Sequence, residues 1–353
     1  MTANKHITKS NQRGFFDEQD HMEKLSQYKD PLDFLNKHIP FDMFRTELEK
    51  YFTQGKDYSK GGRPAFDYVM MFKILVVQRY YGLSDDAMEF ALVDRSSFKR
   101  FLGLGLTDKL PDAKTIWNFR DQLSKGSMVE KLFEKLDQRL HDQRIIIKSG
   151  KMIDASIVET PIQRNSRDEN QQIKEGNIPD DWKENPNKLR QKDTDAKWVT
   201  HNGKDHFGYK DHIKADTKTK LITGYQVTSA QVHDGQMLDA LTDEQQDHHQ
   251  TLHGDSAYRS TENQQLLRKK NITSRIHEKG YRNKPLTQKQ IQRNHRKSKI
   301  RSRIEHIFGF MTNTMHAMYI RCRGLTRAKA IIGLNNLTYN FFRIIQLKVC
   351  LKG

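Results

Sequence analysis

The chain has 353 residues, 35% of them apolar and 30% charged, and a formal net charge of +17. That length accommodates two or three domains with real cores, and the lack of any 18-residue apolar run excludes a membrane-spanning helix. Cys322 and Cys350 are too few for a disulfide framework or a zinc site, and the amino terminus lacks a charged-then-apolar leader, so the expectation is a cytoplasmic protein.

The charge is unevenly spread. Residues 259–353 hold 22 Lys and Arg against only Glu262, Glu278 and Glu305, while the rest of the chain is close to neutral. An excess confined to one region is the footprint of a face that binds a polyanion, because each phosphate neutralised releases counterions. Double-stranded DNA is the expected partner.

In chain order, residues 1–27 are polar and read as a mobile tail, with order expected from Tyr28. After Pro64, the apolar residues Phe66, Met70, Ile74, Val77 and Tyr81 recur at helical spacing up to Gly82, and Ser84 offers a new start. Asp112 reads as a helix cap, and Met128, Leu132, Phe133, Leu136 and Leu140 as a further helical stripe. Residues 28–144 are therefore expected to form an all-helical unit. Within it, Ser84 to Val93 and Ser96 to Phe101 read either as a helix-turn-helix with Arg95, Lys99 and Arg100 near DNA or as part of a plain bundle.

From Ile145 the period changes, and residues 145–353 are expected to form an α/β unit, a mixed sheet flanked by helices. Ile145 to Ile147 and Met152 to Val158 read as paired strands, Tyr209 to Ala215 and Leu221 to Ser229 as an antiparallel pair turned at Thr217 to Lys220, and Thr251 to Asp255 as a buried strand. A helix is expected from Thr261 to Lys270 and a last strand at Asn271 to Ile276. The polar stretch 164–197 reads as an excursion outside the core, and 277–300 as a basic arm that contacts DNA through Arg293, Arg296, Lys297 and Lys299. The carboxy-terminal residues Ile331, Leu334, Leu337, Phe341, Ile344 and Ile345 suit an amphipathic helix on the sheet.

Three carboxylates stand in recognisable surroundings. Asp154 in Met-Ile-Asp-Ala-Ser and Asp255 in His-Gly-Asp-Ser-Ala-Tyr read as strand ends, while Glu305 lies on a helix marked by Ile304, Ile307, Phe308 and Met311. Two strand-end Asp and one helical Glu make a hard-cation site, suited to two Mg²⁺ or Mn²⁺ ions acting at a phosphodiester. Glu159 is five residues beyond Asp154, and strand alternation turns it to the opposite face. Asp216 and Asp234 read as turn or supporting residues. The Asp247-His248-His249 run reads as solvated surface, since adjacent side chains diverge. Tyr258 reads either as a contact to the scissile phosphate or as a cap on the sheet.

These stretches, with Gly61-Gly-Arg-Pro64, Gln191 to Trp198, His206-Phe-Gly-Tyr209-Lys-Asp-His212, Val232-His-Asp234 and Arg301-Ser-Arg-Ile-Glu305, fall in an order that resembles the DDE-type transposases of bacterial insertion sequences. The resemblance is to the insertion sequence five family, within the wider group like insertion sequence four. It implies an RNase H-like catalytic domain, Mg²⁺, cleavage of DNA at element ends and strand transfer, with Asp154, Asp255 and Glu305 as both catalytic residues and metal ligands. A bacterial, nucleoid-associated protein working as a homodimer on paired ends follows, with Arg301 and Arg303 beside the DNA. The wider group tends to have a Tyr three residues before the motif Arg and a Lys seven after the Glu, whereas this chain has Ser298 and Thr312. Other readings are a metal-dependent nuclease of the same fold and a catalytically silent DNA-binding regulator.

Overall fold

The computed structural model describes residues 17–55, 61, 64–105, 107–146, 149–348 and 351. The tail expected over 1–27 lies outside the described residues up to 16, and Asp17–Gln27 forms helix α1. Helices α2 (Pro31–His38), α3 (Arg45–Thr53), α4 (Tyr68–Tyr80), α5 (Asp85–Asp94), α6 (Ser96–Leu102), α7 (Ala113–Lys125) and α8 (Met128–Asp142) follow. Their starts obey local chemistry. The side chains of Asp67, Ser84 and Asp112 accept the N–H groups of Met70, Ala87 and Thr115, which the first turn of a helix leaves unpaired.

The helix-turn-helix reading of α5 and α6 is not what the fold uses. Only Arg95 separates the two helices, against the three or four residues such a turn needs. Lys99 is buried, and Arg100 is tied to Asp30 and Asp33 at 3.2 and 2.5 Å. Arg95 lies over the rings of Tyr81 and Phe98.

The paired strand expected at Ile145 to Ile147 does not form at Ile145 and Ile146; their N–H groups close the end of α8 on Leu140, and Ile147 lies outside the described residues. The first strand is β1 (Lys151–Glu159). The excursion then folds into three short helices, α9 (Arg167–Lys174), α10 (Asp180–Glu184) and α11 (Pro186–Gln191), around a fully buried Trp182 whose ring N–H reaches Glu169 at 2.7 Å. It is thus a small packed unit rather than loop. Strands β2 (Lys197–His201) and β3 (Lys204–Asp216) form a hairpin on Asn202-Gly203, both at positive φ as a tight two-residue turn requires. Then come β4 (Ile222–Ser229), α12 (Leu238–Leu241), β5 (Thr251–His253), α13 (Thr261–Lys269), β6 (Thr273–Ser274), α14 (Gln288–Arg301), α15 (Glu305–Asn313) and α16 (Leu325–Gln346).

The sheet runs β2-β3-β1-β5-β6, with β4 also on β3. β1 is antiparallel to β3 from Lys151↔Asp216 to Glu159↔Gly208, and parallel to β5 only at Lys151↔Leu252 and Met152↔His253. Gly208 is required at its place, since a Cβ there would meet the Val158 carbonyl at 2.2 Å. The result is the mixed, helix-flanked sheet behind an all-helical amino-terminal part that the sequence led us to expect. Among the described residues no helix is long and apolar enough to cross a membrane.

The carboxy-terminal helix departs from its expected amphipathic form. From Ala330 to Phe342 every residue of α16 is buried, because α2, α4, α7 and α8 cover it on one side and β4 on the other. Phe341 sits among Phe41, Phe44 and Phe72, all in edge-on contacts with ring centres 5.1–6.3 Å apart. One apolar cluster therefore joins α2–α8, the sheet residues Met152, Ile213, Ala215 and Ile222, and Ile304, Ile307 and Met311. Two of its buried asparagines reach the sheet: the Asn340 amide accepts from the Ile222 N–H and donates to the Ile222 carbonyl, both at 2.8 Å, and Asn336 donates to Asp211 at 3.1 Å. Replacing Asn340 with Leu leaves both Ile222 groups buried and unpaired, and should cost roughly 2–4 kcal/mol; chemical denaturation measures this, and a loss under about 0.5 kcal/mol would show that the pairing is not needed.

Candidate active site

Asp154 is inside β1, not at its end, but the parallel pairing with β5 stops two residues earlier at Met152↔His253. Continuing that register sets Asp154 abreast of Asp255, which lies two residues past β5 and caps a single 3-10 turn, Ser256–Tyr258, by accepting the Ala257 N–H at 2.9 Å. Gly254 permits this close approach, since a Cβ there would sit 3.1 Å from Ile153 and 3.4 Å from the Tyr258 ring. Glu305 begins α15, which Ile304, Ile307 and Met311 anchor in the core. Its carboxylate is exposed.

Arg301 joins the set. Its guanidinium donates to Asp154 at 2.9 Å and to Glu305 at 3.1 Å, so one cation stands between two of the three carboxylates. The sequence gives the signal in the four-residue spacing of Arg301 and Glu305, which makes them helical neighbours. Among the described residues no group of three or more His, Cys, Asp or Glu is gathered closely enough to hold a metal ion.

The local electrostatics nonetheless suit a hard cation. Burial pushes the Asp154 carboxyl up to about 6; the Ala155 N–H and Arg301 oppose the shift, and Asp255 and Asp234 add to it. Tyr258 is fully buried, and its hydroxyl has no hydrogen-bond partner; burial, then Asp234, Asp154 and Asp255, hold it well above the usual phenol range. Asp154 and Glu305 share a single guanidinium, Tyr258 keeps an unpartnered hydroxyl, and the oxygen donors of this set are those Mg²⁺ and Mn²⁺ prefer.

Asp234 was read from sequence only as a supporting residue, and the fold shows how it supports. Lys210 donates to it at 2.8 Å, and Asn263 bonds the carbonyls of both Gly235 and Tyr258, tying its loop to that of Asp255. Burial holds His212, 3.9 Å from Asp234, down to about 4, so it is neutral near pH 7. Glu159 faces away and binds His206 at 2.5 Å, Asp216 closes the β3–β4 turn, and Asp247 is buried against Lys214 at 2.7 Å.

The basic arm lies along α14, which leads directly to Glu305. Arg296 and Lys299 are exposed and have no carboxylate within ion-pair distance among the described residues, and Arg303, at i+7 from Arg296, continues their face while donating to the Thr217 carbonyl. Arg293 is paired with Glu278 at 3.2 Å, and Lys297 donates to the Ile276 carbonyl at 2.8 Å, with burial lowering its pKa. Tyr258, being buried, does not reach the surface where a phosphate would lie. Ser298 bonds His277 at 3.3 Å, and Thr312 turns back onto the Phe308 carbonyl.

Comparison with known proteins gives three findings. Residues 147–341 match the family described as "Transposase DDE domain", and residues 19–122 match that described as "Transposase domain (DUF772)". A cryo-EM structure of a piggyBac transposase synaptic complex with hairpin DNA is similar at a TM-score of 0.41 and 11% identity, covering 93% of this chain and 78% of that one.

The raised Asp154 carboxyl has a consequence for stability. An acid that titrates at about 6 when folded and at its ordinary 3.8 when unfolded weakens the fold as pH rises between those values, because the unfolded chain ionises first. In metal-free buffer Asp154→Asn should therefore melt higher than the parent at pH 8, by up to about 3 kcal/mol, with the advantage shrinking below pH 6 and gone near pH 4. Thermal melts across that range check it, and a variant less stable at pH 8 would contradict it.

Proposed function

The chain belongs to the transposase DDE-domain family and is a DDE-type DNA transposase, and on that premise we propose that Asp154, Asp255 and Glu305 are the carboxylates with which it cuts DNA at element ends and joins the freed 3′-hydroxyl ends to target DNA. The observation that carries this reading is the register that sets Asp154 beside Asp255, with Arg301 linking Asp154 to Glu305. The order of the chain's motifs supports an insertion sequence of the five type in a bacterial nucleoid. The sheet, antiparallel on one side of β1 and parallel on the other, supports an RNase H-like catalytic domain.

The family implies dependence on divalent metal, and the oxygen donors here suit two Mg²⁺ or Mn²⁺ ions, one on Asp154 and Asp255 and the second completed by Glu305. Metal bound there makes water or a 3′-hydroxyl a competent nucleophile and neutralises charge at the phosphodiester. The protein's own groups do the rest. Lys210 and Asn263 fix the loops that carry Asp234 and Asp255, and buried Tyr258 packs beneath them. Arg296 and Lys299 offer charge to the DNA backbone along α14, while Arg293, Lys297, Arg301 and Arg303 are partly spent on protein partners.

Asp154→Asn, Asp255→Asn and Glu305→Gln should each abolish cleavage of an end-bearing duplex in Mg²⁺ or Mn²⁺ while leaving affinity for DNA within about threefold, since each swap keeps shape and removes a ligand charge. Full activity in any one would remove that residue from the site. Cleavage without joined product would instead favour a nuclease, and binding without cleavage by the parent protein a regulator.

One three-carboxylate site positions one end at a time, which supports a homodimer on paired ends. Titrating Glu305→Gln protein into the parent enzyme should depress double-end cleavage more steeply than its mole fraction. A linear fall, with no paired-end complex by size, would mean that monomers act alone.

A further inference from the structure

Beyond the carboxy-terminal end of β1, a cavity of about 680 Å³ opens between α7, the excursion and the start of α16. Seven of its lining residues are Arg or Lys and two are Asp, and both Asp are already engaged. Asp121 is held by Lys125 at 2.8 Å and Arg327 at 2.7 Å, while buried Asp193 accepts the Tyr209 hydroxyl at 2.7 Å and the N–H groups of Asp195 and Ala196. Arg164, Arg190 and Arg321 are exposed and have no carboxylate within ion-pair distance among the described residues. Trp117, 43% exposed, presents its indole to the same wall.

This cleft is separate from the carboxylates. Thr160 at its rim lies six residue steps beyond Asp154 along extended strand, a span of about 20 Å. Unspent guanidiniums suit phosphate, and an exposed indole among them suits the flat face of a base. A cavity of small-molecule size cannot take a duplex but can take one or two nucleotides. We propose that this arginine cleft binds a short unpaired DNA strand, its phosphates on Arg164, Arg190 and Arg321 and a base against Trp117. The proposal rests on the reading of the chain as an enzyme of DNA.

The test compares a fluorescent 30-base-pair blunt duplex with the same duplex carrying a ten-nucleotide single-stranded tail, over a salt series. The parent protein should bind the tailed DNA more tightly, with quenching of tryptophan fluorescence. An Arg164→Glu, Arg190→Glu, Arg321→Glu triple variant should bind blunt duplex within about twofold of the parent but lose the tail preference, its tailed-DNA salt slope falling by roughly 2. Trp117→Phe should lose the quenching, and Trp117→Ala roughly five- to a hundredfold of tail-dependent affinity. Should the triple variant misfold, Arg164→Gln and Arg190→Gln, at exposed side chains without an ion-pair partner, must each still reduce the preference. A parent protein that binds both DNAs equally, or variants that keep the preference, would overturn the cleft while leaving the transposase reading intact; a parent protein that binds neither DNA would overturn both.

Discussion

The double hydrogen bond between the Asn340 side chain and the Ile222 backbone fixes the helix on which the rest of the molecule is assembled. Buried polar groups are costly unless they are paired, and α16 ties two of its asparagines to the sheet: Asn340 to β4 and Asn336 to Asp211 of β3. The dependence then runs outward. β4 holds β3, β3 holds all nine residues of β1, and β1 offers the two-residue parallel edge from which β5 delivers Asp255 to the side of Asp154. Glu305 is tied to Asp154 through Arg301, on a helix placed by Ile304, Ile307 and Met311, which are set in the cluster that α16 shares with the amino-terminal helices.

Charge runs the other way, from outside in. The carboxy-terminal region is strongly basic, yet it packs beside Asp154, a carboxylate whose burial makes it costly as an anion. Arg301 eases that cost by bridging Asp154 and Glu305, and it ends the same helix that carries Arg296 and Lys299. On the proposed reading, the residues offered to DNA and the residues offered to metal lie on one continuous stretch, α14 to α15.

Much of this was legible in the chain. The helices after Pro64, Ser84 and Asp112 announced themselves by caps and apolar spacing, and the β3–β4 pair by its Thr217–Lys220 turn. The Asn202-Gly203 hairpin signal was present too, but among the polar residues around it no strand was read at β2. Three features were not readable locally. The excursion is centred on just Trp182 and Ile173, too few apolar residues to leave a periodic signal, and Trp182 bonds Glu169 on another of its short helices. The seam of α16 looks one-sided in sequence because its buried asparagines count as polar until their partners are known. The arginine cleft gathers residues from 117 to 331, so no window of sequence contains it.

The central claim is that Asp154, Asp255 and Glu305 hold divalent metal together. Loading the protein with Fe²⁺ and adding ascorbate and peroxide cuts the polypeptide wherever the metal sits, and mass spectrometry of the fragments reads the positions. The account expects cuts clustered near residues 154, 255 and 305, suppressed by excess Mg²⁺ or Mn²⁺. Cuts centred elsewhere, as at His248 and His249, or none above background, would contradict it.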